Sequence, residues 1–347
     1  RGARGMAEAP IAASPRPGRV GDRDAGHPSP TSHGRDGEML SRTAEHLFWM
    51  ARYMERADCT ARLIEMGTRM TMLPGAHDHE EWRSVSNACG AGERFKDEAW
   101  ITEDKILAAL MLDAESPSSI RACMERARAN GRAVRTALTR DMWETLNEGW
   151  RRLEGIDTRS AHRELPVLLD WVKNRAALFR GAVATSMLRN DGFDFVNLGG
   201  NLERADMTLR LLDVKYWVLL PETEVVGGGR DHHQWTSVLH ATSAMRAYHQ
   251  MYRGDYAPWK IADFLILNRA FPRSVAFCYD QINNSLTRLA EAYEEEHDCH
   301  MTARQMTKHL ARREMGELFR EGLHEYIHDG IRATRRLNAE ISSAYHF

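Results

Sequence analysis

Residues 55–63 read Glu55-Arg56-Ala57-Asp58-Cys59-Thr60-Ala61-Arg62-Leu63, and residues 203–211 read Glu203-Arg204-Ala205-Asp206-Met207-Thr208-Leu209-Arg210-Leu211. The two segments are identical at seven of nine positions, 148 residues apart. Further pairs follow in the same order. Trp82, Ser84 and Val85 return as Trp235, Ser237 and Val238 at a spacing of 153. Leu110-Met111-Leu112 is echoed by Leu265-Ile266-Leu267, and Pro117, Ser119 and Cys123 by Pro272, Ser274 and Cys278, all at 155. A preserved order with a slowly drifting offset is what duplication followed by small loop insertions produces. The expectation is two divergent copies of one unit, approximately 41–140 and 195–297.

Outward from these segments the pattern is helical. Apolar residues recur at three- and four-residue spacing from Leu40 onward, and no convincing alternating strand is found. Ser41 reads as the N-cap of a first helix whose stripe is Leu47, Met50, Met54, Ala57, Ala61 and Ile64, ended by Pro74-Gly75. Later helices are expected at roughly 78–90, 102–112, 118–139, 141–154, 163–189, 195–220, 233–251, 257–268, 271–297 and 302–344. The fold class is therefore all-α. Two related units that each expose apolar helix faces should pack about a pseudo-two-fold axis, giving one large helical bundle domain over residues 39–347.

Residues 1–38 differ from the rest. They are rich in Pro, Gly, Arg and Ser, hold no aromatic residue, and cannot bury enough apolar surface to offset ordering. They read as a disordered leader, and Met39 stands where a native start would fall if the upstream start is mis-assigned.

Composition narrows the function. Charged residues are 28% of the chain with a formal net charge of −2, so there is no basic excess to attract nucleic acid or anionic lipid. The most apolar runs, Tyr216 to Leu220 and Phe264 to Leu267, are far too short to span a bilayer. Five cysteines, odd in number and never spaced as C-x-x-C, fit a reducing cytoplasm.

On a helix, Glu55, Asp58 or Cys59, and Arg62 share one face, with Arg52 and Arg56 on the adjoining one; Glu203, Asp206 and Arg210 repeat the arrangement. Two facing copies would make a compact cluster of carboxylates and guanidiniums. Arginine suits this, because its planar fork holds a carboxylate or phosphate bidentately. Such a cluster is either a ligand site or a buried structural network. The candidate ligand-binding residues are Arg52, Tyr53, Glu55, Arg56, Arg62, Asn201, Glu203, Arg204 and Arg210. Glu55 and Glu203 are also the candidate acid/base groups.

The same residues carry a resemblance. Met39-Leu40-Ser41-Arg42-Thr43-Ala44-Glu45, Trp49-Met50-Ala51-Arg52-Tyr53-Met54-Glu55-Arg56-Ala57, Asn201-Leu202-Glu203-Arg204-Ala205-Asp206 and Phe271-Pro272-Arg273-Ser274-Val275 resemble the alpha-E family, named for its helices and Glu-Arg motif. The similarity runs from Met39 to the C-terminus. It implies association with a circularly permuted ATP-grasp ligase, often with a transglutaminase-like peptidase, and hence a role around peptide or amide-bond synthesis. No reaction of the alpha-E member itself is implied.

Other constellations are weaker. His324-Glu325-Tyr326-Ile327-His328 matches H-E-x-x-H, the helix-borne zinc protease signature. That scaffold needs an adjoining sheet and a further downstream ligand, and only Glu340 and His346 follow. His232-His233, His77-Asp78-His79-Glu80 and Glu296-His297-Asp298-Cys299-His300 lack metal-site spacing, and Gly227-Gly228-Gly229 precedes no phosphate-binding lysine. No metal and no cofactor is expected. Two functions stay open: a non-catalytic helical partner or substrate-binding component of an ATP-grasp system, or an enzyme of that pathway, a transferase or amide-bond-modifying catalyst, using Glu55 and Glu203.

Overall fold

Leu47, Met50, Met54, Ala57, Ala61 and Ile64, the expected apolar stripe, are all buried on one long helix, α1 (His33–Thr71). Phe48, Ala51, Leu63 and Met66, on its other faces, are buried as well. A helix enclosed on nearly every side belongs at the centre of a large core rather than on its surface. The computed structural model describes residues 33–72, 78–217 and 229–347. Most of the expected leader, the stop at Pro74-Gly75, His77, the run Val218 to Leu220 and Gly227-Gly228 lie outside the described residues.

The chain continues through α2 (Asp78–Ala88), α3 (Glu103–Ile106) with a π-helical turn at Leu107–Leu112, α4 (Ile120–Ala133), α5 (Arg140–Glu154), α6 (Thr158–Arg163) and α7 (Leu165–Ser186). Then come α8 (Asp191–Trp217), α9 (Gly229–Ala241), α10 (Met245–Tyr252), α11 (Pro258–Ile266), α12 (Val275–Tyr293), α13 (Asp298–Arg312), α14 (Met315–Glu321) and α15 (Leu323–Ala344). Among the described residues there is no strand. The all-α expectation holds.

The largest departures of the helix boundaries from expectation fall in three places, each with a local cause. Beyond these, the helix expected at 118–139 ends at Ala133 and the one expected at 271–297 spans Val275–Tyr293. Helix α1 begins at His33, so Ser41 lies inside it rather than at its cap; adding a residue to a formed helix is far easier than starting one. The expected helix 233–251 is divided into α9 and α10 where Ser243 takes a left-handed conformation (φ 55°). The expected helix 302–344 is three helices, broken at Arg313, which is extended, and at Gly322, whose φ of 107° suits only glycine.

Helix α1 packs along α8, and each is flanked in the same manner. Helices α4 and α7 lie on α1 with α5 against both; α12 and α15 lie on α8 with α13 against both. Gly199 sets how closely the two central helices approach: a Cβ there would sit 2.2 Å from the Phe48 carbonyl oxygen. Gly200, its neighbour, is different. Nothing lies within 4 Å of where its Cβ would be.

Residues matched by sequence spacing do matching jobs. Ser119 caps α4 by accepting from the Ala122 amide at 3.1 Å, and Ser274 caps α12 by accepting from Phe277 at 3.0 Å. Each cap of this kind contributes about 1 kcal/mol. Each serine hydroxyl also donates back to a carbonyl six residues earlier, Asp113 and Asn268 respectively. Trp82 and Trp235 are both buried, as are Val85 and Val238.

Candidate functional site

At the crossing of α1 and α8 the two Glu-Arg pairs engage each other rather than their own neighbours. Arg204 donates from Nε and Nη2 to the two Glu55 oxygens, both at 2.9 Å. Arg56 donates from Nε and Nη2 to the two Glu203 oxygens, at 2.6 and 2.9 Å. The reason is helical geometry: Glu and Arg adjacent in sequence point about 100° apart, so each glutamate turns inward to the guanidinium of the facing helix. Both forks are bidentate, the strongest form of this pair. Each arginine reaches one further acceptor, Arg56 to the Pro117 carbonyl and Arg204 to that of Pro272, both at 3.4 Å.

The network extends along both helices. Arg62 pairs with Asp58 at 3.0 Å and donates to the Ala241 carbonyl at 2.8 Å. Arg210 pairs with Asp206 at 2.6 Å and donates to the Ala88 carbonyl at 3.0 Å. Ala241 and Ala88 are the last residues of α9 and α2, so each arginine satisfies a carbonyl that a helix end leaves without an intrahelical partner and lies at the negative end of the helix dipole. Arg62 and Arg210 are therefore clamps between helices.

Around the glutamates the two halves differ. Glu203 is held additionally by Arg52, at 2.9 Å from its Nε. Glu55 is held by Arg180 of α7 at 2.9 Å and by Arg273 at 3.1 Å, and both of these also reach Asp58. Neither Arg180 nor Arg273 is among the site residues expected from sequence. Arg273 sits in the quoted Phe271-Pro272-Arg273 run, which is the one trace of it in the sequence. Arg180 comes from a helix with no counterpart motif.

Position 52 is occupied by arginine and position 200, which is 148 residues later, by glycine; Trp49 and Tyr53 correspond likewise to Asn197 and Asn201. Around Glu203 the large side chains fill space: the Arg52 guanidinium lies 4.9 Å from the Trp49 ring, which packs 5.5 Å from Tyr53. Tyr53 in turn lies under the Arg56 guanidinium at 5.7 Å. Around Glu55 the small residues leave a cavity of about 300 Å³. Arg180, Arg189, Arg204 and Glu55 contribute polar wall, and Phe179, Val183, Phe193, Val196 and Phe277 the apolar wall. Asn201 Oδ1 is buried there without a hydrogen bond, while its Nδ2 donates to Asn197 at 2.8 Å.

Electrostatics follow from this crowding. Burial pushes the Glu203 carboxyl up, but Arg56 and Arg52 outweigh it and hold it at about 2. Burial opposes ionisation of Glu55 too, and Arg204, Arg180 and Arg273 together hold its carboxyl well below the usual carboxylate range. Asp58 is lowered against the same opposition by Arg273 and Arg62. Cys123 and Cys278, beside the network, are pushed up to about 12 by burial, so neither presents a thiolate at neutral pH. Seven guanidiniums (Arg52, Arg56, Arg62, Arg180, Arg204, Arg210, Arg273) face four carboxylates (Glu55, Asp58, Glu203, Asp206), leaving a cationic excess.

Of the nine residues expected at the site, eight belong to the hydrogen-bonded network or to the cavity wall, and Tyr53 packs against the network through the Arg56 guanidinium. The sequence places none of them relative to the opening. Among the described residues no helix is long and apolar enough to cross a membrane. No curated protein and no solved structure matches the chain. A family model, Alpha-E, described as a predicted alpha-helical domain with a conserved ER motif, matches residues 39–346. Its ER motif is met here twice, at Glu55-Arg56 and Glu203-Arg204, the two pairs that interlock at the centre of the fold. The chain belongs to the Alpha-E family.

Proposed function

We propose that this protein is a non-catalytic binding component that takes an anionic group, a carboxylate or phosphate attached to an apolar or peptidic body, into the cavity beside Glu55. The observation that carries this is the position of Arg180. Its contacts to Glu55 and Asp58 both leave from Nη1, and its side chain keeps 31% exposure at the cavity wall. A guanidinium with spare donors, in a cluster already richer in cations than anions, is suited to an incoming oxyanion. The apolar wall and the bare Asn201 oxygen supply the remainder of a small-molecule site.

The acid/base reading of Glu55 and Glu203 is less favoured. A general base near neutral pH needs an oxygen free to take a proton, and both glutamates are held strongly ionised with both oxygens engaged. In keeping with the family resemblance, the ligand we propose is the carboxylate substrate or acyl-phosphate intermediate of a circularly permuted ATP-grasp ligase, with the chain serving as that ligase's helical partner and a transglutaminase-like peptidase as a further associate. Five buried free cysteines accord with a reducing cytoplasm. The matched roles across the 148- to 155-residue spacing support descent of residues 39–347 from two copies of one unit.

Isothermal titration of the protein with carboxylate dipeptides and with a phosphonate mimic of an acyl phosphate tests the binding reading. Binding should be lost in Arg180→Ala and in Gly200→Arg, the latter restoring the arginine present at position 52. Equal binding by all three proteins, or none by the unmodified chain across the panel, would overturn it.

A further inference from the structure

His324-Glu325-Tyr326-Ile327-His328 lies in the first turns of α15, and the third ligand sought downstream in the sequence comes instead from upstream, on α8. His324 Nδ1 is 3.0 Å from Asp213 Oδ1 and His328 Nε2 is 3.4 Å from Asp213 Oδ2. One ligand atom from each of the three residues can be chosen so that all lie within 4.8 Å of one another. A tetrahedral zinc ion with bonds of about 2.0–2.1 Å has ligand-to-ligand edges of roughly 3.3 Å. Each imidazole nitrogen is already close to that distance from one Asp213 oxygen, His324 from Oδ1 and His328 from Oδ2. We propose that Asp213, His324 and His328 bind a single zinc(II) ion that pins α15 to α8.

Three features support this. The imidazoles stand one helical turn apart, the spacing that lets one helix face present two nitrogens to one metal. Their ring centroids are 4.4 Å apart and their side chains are about two-fifths exposed, so an ion can enter and keep water in a fourth position. Asp213 is 7% exposed, a rigid buried anchor for the carboxylate ligand.

The corresponding place in the other half makes the contrast. Glu65, 148 residues before Asp213, ties α1 to α7 through Lys173 at 2.6 Å. An ammonium can only pair with the carboxylate, whereas two imidazoles can share it with a metal. Glu325, the would-be base of a protease, has a different position. Its Oε2 lies 2.2 Å from where a Cβ on Gly322 would be, so the carboxylate folds back over the start of its own helix. The site binds metal without the hydrolytic arrangement of that motif.

The test uses the full chain stripped with a chelator and dialysed, then titrated with zinc chloride against a chromophoric competitor, with cobalt(II) absorption as a second readout. One equivalent of zinc and a tetrahedral cobalt spectrum are expected. Affinity should fall about tenfold or more in His328→Gln and in Asp213→Asn, since losing a ligand costs at least as much as losing its supporting shell. The half-exposed His328→Gln serves if Asp213→Asn does not fold. A His232→Ala/His233→Ala variant should bind as the parent does. No zinc uptake by the parent chain, or undiminished uptake by a His324→Ala/His328→Ala variant, would overturn the proposal.

Discussion

Arg204 and Glu55, from different central helices, close a two-pronged fork of 2.9 Å hydrogen bonds, and Arg56 closes the same fork on Glu203 in the reverse direction. The stability consequence is unequal between partners. Removing Glu55 leaves Arg180, Arg204 and Arg273 facing one another with only Asp58 between them, and should cost about 3–5 kcal/mol. Removing Arg204 leaves Glu55 still held by two guanidiniums, so the loss should be smaller. Urea melts of Glu55→Ala and Arg204→Ala measure the order; a more damaging Arg204→Ala would contradict it.

Gly199 and Gly200 should respond oppositely to alanine. At Gly199 the new methyl meets the Phe48 carbonyl, which is backbone and cannot turn aside, so destabilisation by about 1–3 kcal/mol or more is expected. At Gly200 the methyl meets open space inside a helix, and the gain in helix propensity should stabilise by about 0.5–1 kcal/mol. Thermal melts of the two single variants separate these outcomes.

Acid should weaken the fold through Glu203. Its folded carboxyl, at about 2, lies below the ordinary 4.5, so its contribution is complete above about 4.5 and is lost as pH falls from there toward 2. A displacement of this size corresponds to about 3 kcal/mol. The free energy of unfolding measured against pH should fall less steeply through that window in Glu203→Gln, from a lower starting value.

Arg180 should be nearly dispensable for folding. It is the most exposed guanidinium around Glu55, which keeps Arg204 and Arg273 without it, and its removal also relieves like-charge crowding. Arg180→Ala is expected to change stability by less than about 1 kcal/mol. Circular-dichroism melting checks this, and a loss as large as that of Glu55→Ala would make Arg180 a structural member of the network.

The helical class, the long buried stripe of α1 and the meeting of the Glu-Arg pairs were legible because each rests on short-range periodicity or on a repeated motif. Arg180 was not, since α7 reaches Glu55 across 125 residues through packing that no local pattern encodes. The breaks at Ser243 and Gly322 were also hidden. Flanking helices on either side of a single unusual φ keep their apolar spacing, and the sequence then reads straight through. The opposite surroundings of Gly199 and Gly200 are not visible in the sequence either, where adjacent glycines look alike, although neighbours on a helix face directions about 100° apart.

The arginine at position 52 and the glycine at position 200 also bear on stoichiometry. Were the two halves separate identical chains, symmetry would give both seats or neither an opening, and any occupant would come in twos. Within this one polypeptide the two surroundings differ: the Arg52 guanidinium packs onto Glu203, while a cavity of about 300 Å³ lies beside Glu55. On the binding reading proposed above, an anion would enter at Arg180 once per chain, because the other glutamate is already covered by Arg52 and offers no second seat.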